Sequence, residues 1–322
     1  MTLKQNGAIA QAIRRALSYL VSSQRASGEF PTYWSSSLTM TRSTYAESPF
    51  ITGMIVLALS SLKTVEVKII RRRAIAYLLT KQRSQSFFSF LNTGIDSDVD
   101  DTCLLNWILQ SANHNRSYYR ALAEKILQRP QKDGFYGTWI REIDDTVTDI
   151  DPCVNVNVLR FLHSNGLTNE ATIQALQTAM RTNAYADGTL YYQPVFSLPY
   201  LILTLPTILI NQILDARLLS IFERAEVKVE TSHPALVVDA AMELFIRSSK
   251  NGFPARCGEL AGYLLSQQIK GGGWPNSAMF RAFNYWGSAG LTTAVVVQAL
   301  HRYTEVMNLK QDEIRNDSGK TW

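Results

Sequence analysis

The chain alternates between two kinds of helix-length segment, and that alternation limits what it can fold into more than any single motif does. Apolar periodicity and Gly/Pro breaks place one set of helices near residues 7–23, 67–81, 117–129, 168–182, 210–225 and 256–267. A second set falls near 50–62, 100–112, 152–164, 196–206, 234–247 and 288–303. The second set is more apolar and β-branched, as in Ile51-Thr-Gly-Met-Ile-Val-Leu-Ala-Leu59 and Leu291-Thr-Thr-Ala-Val-Val-Val-Gln-Ala-Leu300. Helices that are apolar on most sides belong inside. Six outer and six inner helices in alternation describe an all-α fold, a single closed α/α barrel. That domain takes residues 1–307 and leaves 308–322 as a polar, flexible tail. A chain of 322 residues has room for one such barrel.

A weak repeat marks the joints between hairpins. Gln24-Arg-Ala-Ser-Gly28-Glu-Phe30 and Gln268-Ile-Lys-Gly-Gly272-Gly-Trp274 share the form Q-x3-G-x-aromatic. Gln131-Lys-Asp-Gly134-Phe135-Tyr136 is one residue shorter, Asn183 to Tyr191 is a degenerate copy, and Gln82 to Phe87 lacks the glycine. The starts are about one helical hairpin apart, as a stacked repeat requires.

At the start of the second inner helix, four aspartates fall within Asp96-Ser97-Asp98-Val99-Asp100-Asp101. Carboxylates this close repel, and in a dry cavity at least one should keep its proton near neutral pH. Raising one by two or three pKa units takes only about 3–4 kcal/mol of desolvation and repulsion. Helix capping accounts for one or two of the four. A calcium loop does not fit, because Asp101 holds the glycine position and Trp107 the position of the bidentate glutamate. Asp98-Val99-Asp100-Asp101-Thr102 reads as the DxDD-T motif of class II terpene cyclases, and the repeats resemble the QW repeats of squalene–hopene cyclase and its relatives. With one barrel, the chain is most similar to the monodomain cyanobacterial cyclases of the merosterolic acid synthase type. The resemblance implies that Asp100 protonates a terminal alkene or epoxide of a linear polyprenyl chain, flanked by Asp98 and Asp101. It also implies metal-independent closure to a fused terpenoid and, from the monodomain members, an aromatic head group, hence a meroterpenoid.

The outer-to-inner loops all open at one barrel end, so the third inner helix presents Asp151-Pro-Cys-Val-Asn155-Val-Asn157 beside the acids. Asp151 and Asn155 share a helix face. A neutral amide orients an acid's proton without competing for it, and Asn155 is the expected partner of Asp100. The D-x3-N spacing also resembles the Asp/Asn pair of copalyl-type cyclases. Aromatic faces can stabilise a carbocation. The expected substrate-binding set is Trp34, Tyr45, Phe50, Trp107, Tyr192, Phe196, Tyr200, Phe283, Tyr285 and Trp286.

Other chemistries fit less well. Asp151-x-Cys153 with His233 would make a zinc set like that of protein prenyltransferase β-subunits, but those lack the acidic cluster. Asp144-Asp145-Thr-Val-Thr-Asp149 has one residue too many for a class I metal motif, and Gly271-Gly272-Gly273 lacks a P-loop lysine. No cofactor is expected; magnesium would enter only with a diphosphate substrate, for which Arg42, Arg116, Arg141 and Arg281 are candidate partners. A lipid- or peptide-binding barrel without catalysis is the other alternative.

The net charge of +5 is mild. The basic cluster Lys63, Lys68, Arg71, Arg72, Arg73, Lys81 and Arg83 reads as the solvated face of a helix rather than a nucleic-acid site, and it leaves room for peripheral membrane contact. Val195–Leu214 lacks charge but holds Pro199 and Pro206, so it reads as helix, turn and helix rather than a span. Three scattered cysteines and a polar N-terminus point to a reducing cytoplasm.

Overall fold

A computed structural model describes residues 3–92, 94–112, 115–141, 147–214, 236–249 and 254–318. Among them, in chain order, the helices are α1 (Leu3–Ser23), α2 (Pro49–Ala58), α3 (Val65–Leu79), α4 (Val99–Gln110), α5 (Arg116–Leu127) and α6 (Pro152–Ser164). They continue as α7 (Glu170–Arg181), α8 (Ser197–Leu203), α9 (Thr207–Ile213), α10 (Leu236–Ser248), α11 (Pro254–Ser266) and α12 (Ala289–Ser318). The even-numbered helices are inner. α2 packs on α4, α4 on α6, α6 on α8, α8 on α10, α10 on α12, and α12 returns to α2. The odd-numbered helices lie outside this ring against their neighbours. Burial follows the sequence pattern: every residue of α2 is buried, whereas α5 buries only Tyr119, Leu122, Ala123 and Ile126.

Helix starts are fixed by local chemistry. Thr64, Asp98, Asn115, Asp151 and Asn169 each occupy an N-cap position with the side chain accepting a backbone N–H, and Pro152 supplies the first residue of α6. Two expected boundaries differ. Pro206 closes the segment at 196–206 early and opens α9 instead, and most of the outer helix expected to 225 lies outside the described residues. The tail expected from 308 is helical to Ser318, because α12 simply continues. Among the described residues no helix is long and apolar enough to cross a membrane.

The Gln–Gly–aromatic turns lace the outer ring. Gln24 Nε2 donates to Gly28 O within its own turn (2.8 Å) and to Ile70 O on α3 (3.1 Å). Gln268 Nε2 does the same with Gly272 O (2.8 Å) and Ala12 O on α1 (2.9 Å), so the last turn clasps the first helix. Gly28, at φ +96°, lies so close to α3 that a Cβ would meet Arg73 O at 2.1 Å.

Among the described residues the outer-to-inner loops carry the strands: β1 (Thr32–Ser35), β2 (Thr44–Ala46), β3 (Ser97–Asp98), β4 (Gln131–Lys132), β5 (Phe135–Tyr136), β6 (Trp139–Ile140), β7 (Ala278–Arg281) and β8 (Tyr285–Gly287). β2-β1-β8-β7 form one antiparallel sheet, with Trp34 opposite Trp286 and Phe280 opposite Trp286, joining the first loop to the last. β3 pairs with β6 and Tyr192 bridges to Phe280, so the loops at this end are hydrogen-bonded into one rim.

Candidate active site

The rim surrounds the N-terminus of α4. Asp98 caps that helix, its Oδ1 accepting Asp101 N–H at 2.7 Å. Asp100, in the first turn, is buried, and both its oxygens are engaged. Asn157 Nδ2 donates to Oδ1 at 2.7 Å, and the Tyr192 hydroxyl lies 2.7 Å from Oδ2. Burial pushes the Asp100 carboxyl well above the usual carboxylate range, and the charge of Asp98 pushes the same way; the bonds from Asn157 and Tyr192 pull it partly back. Asp101 is also raised well above its ordinary value, first by burial and then by Asp98, and its Oδ1 is buried without a partner. Burial lifts Asp98 to about 6, against bonds from Asp101 and nearby backbone amides. Asp96 stands apart: its side chain is 62% exposed and 3.7 Å from Arg141. The buried cluster therefore has three members.

The amide on Asp100 is not the expected one. Asn155 Oδ1 accepts Tyr136 N–H (2.8 Å), and its Nδ2 donates to Tyr136 O (3.1 Å) and Asp151 O (3.0 Å). Asn155 thus pins β5 to α6 through backbone groups and does not touch the acid. Two residues on, Asn157 lies on the other side of the helix and reaches Asp100. The i, i+4 pairing of Asp151 with Asn155 exists, but it binds the aspartate's carbonyl rather than its carboxylate. Arg160, one turn further, donates from Nε to Asn157 Oδ1 at 3.2 Å; an arginine in an inner helix was the signal for the correct face.

Asp151 works at one remove. Its Oδ1 accepts Cys153 N–H (2.7 Å), and its Oδ2 accepts the Thr189 hydroxyl (2.7 Å) and Tyr191 N–H (2.8 Å). Arg281 holds the same loop from the sheet, Nε to Thr189 O at 2.9 Å, while its backbone N–H donates to Tyr191 O at 2.8 Å. These bonds set the backbone that aims Tyr192 at Asp100.

Beside the acids lies a cavity of about 260 Å³, lined mostly by apolar side chains. Of the expected aromatic set, Phe50, Tyr192, Phe283 and Trp286 line it; Phe90, Trp139, Tyr191 and Phe280 join them from loops whose folding the sequence does not disclose. Phe90 and Phe280 pack edge-on, 5.8 Å between centroids, and Phe283 is fully exposed at the β7–β8 turn. The other expected residues lie elsewhere. Trp34 supports Trp286 from β1 (6.5 Å), and Tyr285 neighbours it on β8 without lining the cavity. The Tyr45 hydroxyl donates to Glu29, and the Tyr200 hydroxyl to Gln298 inside the barrel. Phe196 is buried at the start of α8. Trp107 faces grooves at the opposite barrel end, beneath the Arg160 guanidinium at 5.3 Å.

Two members of the zinc set considered from the sequence, Asp151 and Cys153, lie among the described residues. Both Asp151 oxygens accept hydrogen bonds from the protein, and the Cys153 thiol is raised well above its ordinary value by burial and by the charge of Asp151. His233, Asp144 and Asp145 lie outside the described residues. Among the described residues no three His, Cys, Asp or Glu side chains are grouped to hold a metal.

No family model matches the sequence, and no curated protein is similar to it in sequence. Solved structures are similar in fold. The type II terpene cyclase MstE from Scytonema, in its apo form, has a TM-score of 0.66 at 15% identity, over 94% of this chain and 99% of that one. The fold is that of the type II terpene cyclases. A variant of the same enzyme in complex with geranylgeranyl dihydroxybenzoate gives 0.67 at 14% identity, over 95% and 100%. A protein from Actinoplanes gives 0.70 at 18%, over 92% and 99%. A possible member of the GH105 family from Klebsiella pneumoniae gives 0.54 at 10%, so this architecture alone does not select a chemistry.

Proposed function

We propose that the protein is a class II cyclase in which Asp100 starts the ring closure of a linear polyprenyl chain. One observation carries the reading: a buried carboxyl, raised well above the usual carboxylate range by burial, opens onto an aromatic-lined cavity. The Asp100 O–H adds its proton to the terminal alkene, the π electrons form the new C–H bond, and a tertiary carbocation and the Asp100 carboxylate result. The next alkene attacks the cation, and closure proceeds until a proton is lost to a base, so the net change is an isomerisation. Phe50, Phe90, Phe280 and Trp286 line the cavity, and a ring face turned to the developing charge contributes up to about 2 kcal/mol where water is excluded. Burial and the charge of Asp98 keep the donor's environment poorly disposed to a carboxylate.

The head group we assign is aromatic rather than a diphosphate. Among the described residues lining the cavity, Arg281 is the sole cation, and it is committed to Thr189 O. Arg141 faces Asp96, and Arg116 begins α5 at the far end of the barrel. A diphosphate would meet three buried aspartates with no free cation in the lining. An aromatic head finds Trp139, Tyr191 and Phe283 at the rim. The fold likeness to an enzyme solved with geranylgeranyl dihydroxybenzoate supports the same choice.

The test is product analysis by mass spectrometry, with farnesyl and geranylgeranyl chains carrying either a dihydroxybenzoate or a diphosphate. Wild type should cyclise the aromatic conjugates, and Asp100→Asn should bind them and leave them linear. Cyclisation by Asp100→Asn at the wild-type rate would remove Asp100 from the mechanism.

A further inference from the structure

Arg160 is buried in the middle of an inner helix, with 2% of its surface exposed, and among the described residues no carboxylate lies within ion-pair distance of it. Leaving a guanidinium in a barrel core is costly, and such groups are normally paired. Its donors are instead spent on neutral oxygens. Nη1 donates to Thr204 O and Nη2 to Thr204 Oγ1, each at 2.8 Å, Nε donates to Asn157 Oδ1 at 3.2 Å, and Cζ lies over the Trp107 ring, 5.3 Å from its centroid.

We infer that Arg160 is a positioning residue that fixes the direction of the Asn157 amide and supplies the countercharge for Asp100 once its proton has left; this rests on the reading of Asp100 as the proton donor. Arginine only donates. Asn157 must therefore turn Oδ1 towards Arg160, which leaves Nδ2 for Asp100. The flipped amide would set N–H against N–H towards Arg160, losing a buried bond, and would turn an acceptor rather than a donor to Asp100. With Asn157 locked, Asp100 Oδ1 can only accept, so the acid's proton is confined to the Oδ2 side, where Tyr192 stands. Charge matters as well as direction. Burial draws Arg160 down to about 10, so it stays cationic at neutral pH. Before proton transfer the pair carries one net positive charge, and after it none. The barrel thus contains in advance the charge that the departing proton would otherwise leave unbalanced.

The experiment isolates the Asp100 carboxylic C=O stretch as the infrared difference between wild type and Asp100→Asn, and titrates it in Arg160→Met and Arg160→Lys. In Arg160→Met the band should change frequency as Asn157 loses its anchor. Its titration midpoint should rise by about one unit, a tenfold weaker acid. Arg160→Lys, which keeps the charge but not the fork, should move the midpoint less and the frequency as much. Thr204→Val, which frees one arm of the guanidinium, is read in the same way if Arg160→Met does not fold. An unmoved band and midpoint in folded variants overturn the inference. Because the readout needs no turnover, a wild type that cyclises nothing would overturn the proposed function and leave this result to be judged on its own.

Discussion

Tyr192→Phe is the sharpest single test of how the acid is tuned. The substitution removes one oxygen and keeps the ring, whose edge-on contact with Phe280 (5.0 Å, 70°) survives. The lost bond is 2.7 Å long and ends on Asp100 Oδ2. To a carboxylate it contributes about 1.5–3 kcal/mol, and to the neutral acid about 1 kcal/mol. The difference, about 1–2 kcal/mol, is what the hydroxyl gives the conjugate base over the acid. In pKa terms that is about one unit upward. In rate it is about 5- to 30-fold if the carboxylate charge is largely developed in the transition state. A donor must be protonated to act, so activity is present at low pH and is lost as pH rises through the folded pKa of Asp100. Without Tyr192 that alkaline limb should move up while the plateau beneath it falls. Single-turnover cyclisation rates across about five pH units, with thermal melts alongside, give both quantities. General damage to the fold would lower the melt and leave the limb in place. A plateau within twofold of wild type and an unmoved limb would refute the assignment of Tyr192 as a tuner of the acid.

Three further outcomes are expected. Asn155→Ala should act on stability before rate: three bonds to backbone groups disappear, a loss of about 2–4 kcal/mol, seen as a lower Tm with the alkaline limb unchanged. The buried carboxyls should make the protein more stable in mild acid. Their folded pKa values lie above the unfolded ones, so the folded state binds more protons, and stability falls as pH rises from the unfolded carboxylate range through about 6 for Asp98 and about 7 for Asp239. Asp239→Asn should flatten the upper part of that profile in a pH series of melts. Cyclisation should survive EDTA; loss of activity restored by magnesium would point back to a diphosphate substrate.

The barrel was legible because its cause is repetitive. Each inner helix must be apolar on most sides and each outer helix on one, and that difference recurs often enough for composition to report it. The turns are legible for a related reason: a glutamine that must satisfy two carbonyls and a glycine that must approach a neighbouring helix leave residue types at fixed spacing, as Gln24–Gly28 and Gln268–Gly272 show. The acids at 98–101 are visible because three carboxylates in four positions at a helix start have few uses.

The partners of the acid are harder to read, since each is brought to Asp100 by a different loop or face. Asn155 and Asn157 are equivalent to any composition argument, and only the rotation of α6 about its axis separates them. That rotation is set by what Asn155 must hold, the backbone of Tyr136, and by what Arg160 can reach, Thr204 on the neighbouring turn. Tyr192 depends on a longer chain of causes. It points inward because Asp151 and Arg281 grip the residues before it, from α6 and β7, and neither grip leaves a mark near Tyr192 in sequence. The aromatic cavity follows the same logic: Phe50 comes from a helix start and can be placed, whereas Trp139 comes from β6, paired with β3, and Phe90 from a loop bridged to Asp98 through Phe88. Asp100 has a neutral donor at each oxygen, Asn157 and Tyr192, and Arg160 behind Asn157. The chain collects these groups from α6 and the 182–196 loop, so the surroundings of Asp100 are set by the packed fold rather than by the motif that carries the aspartate.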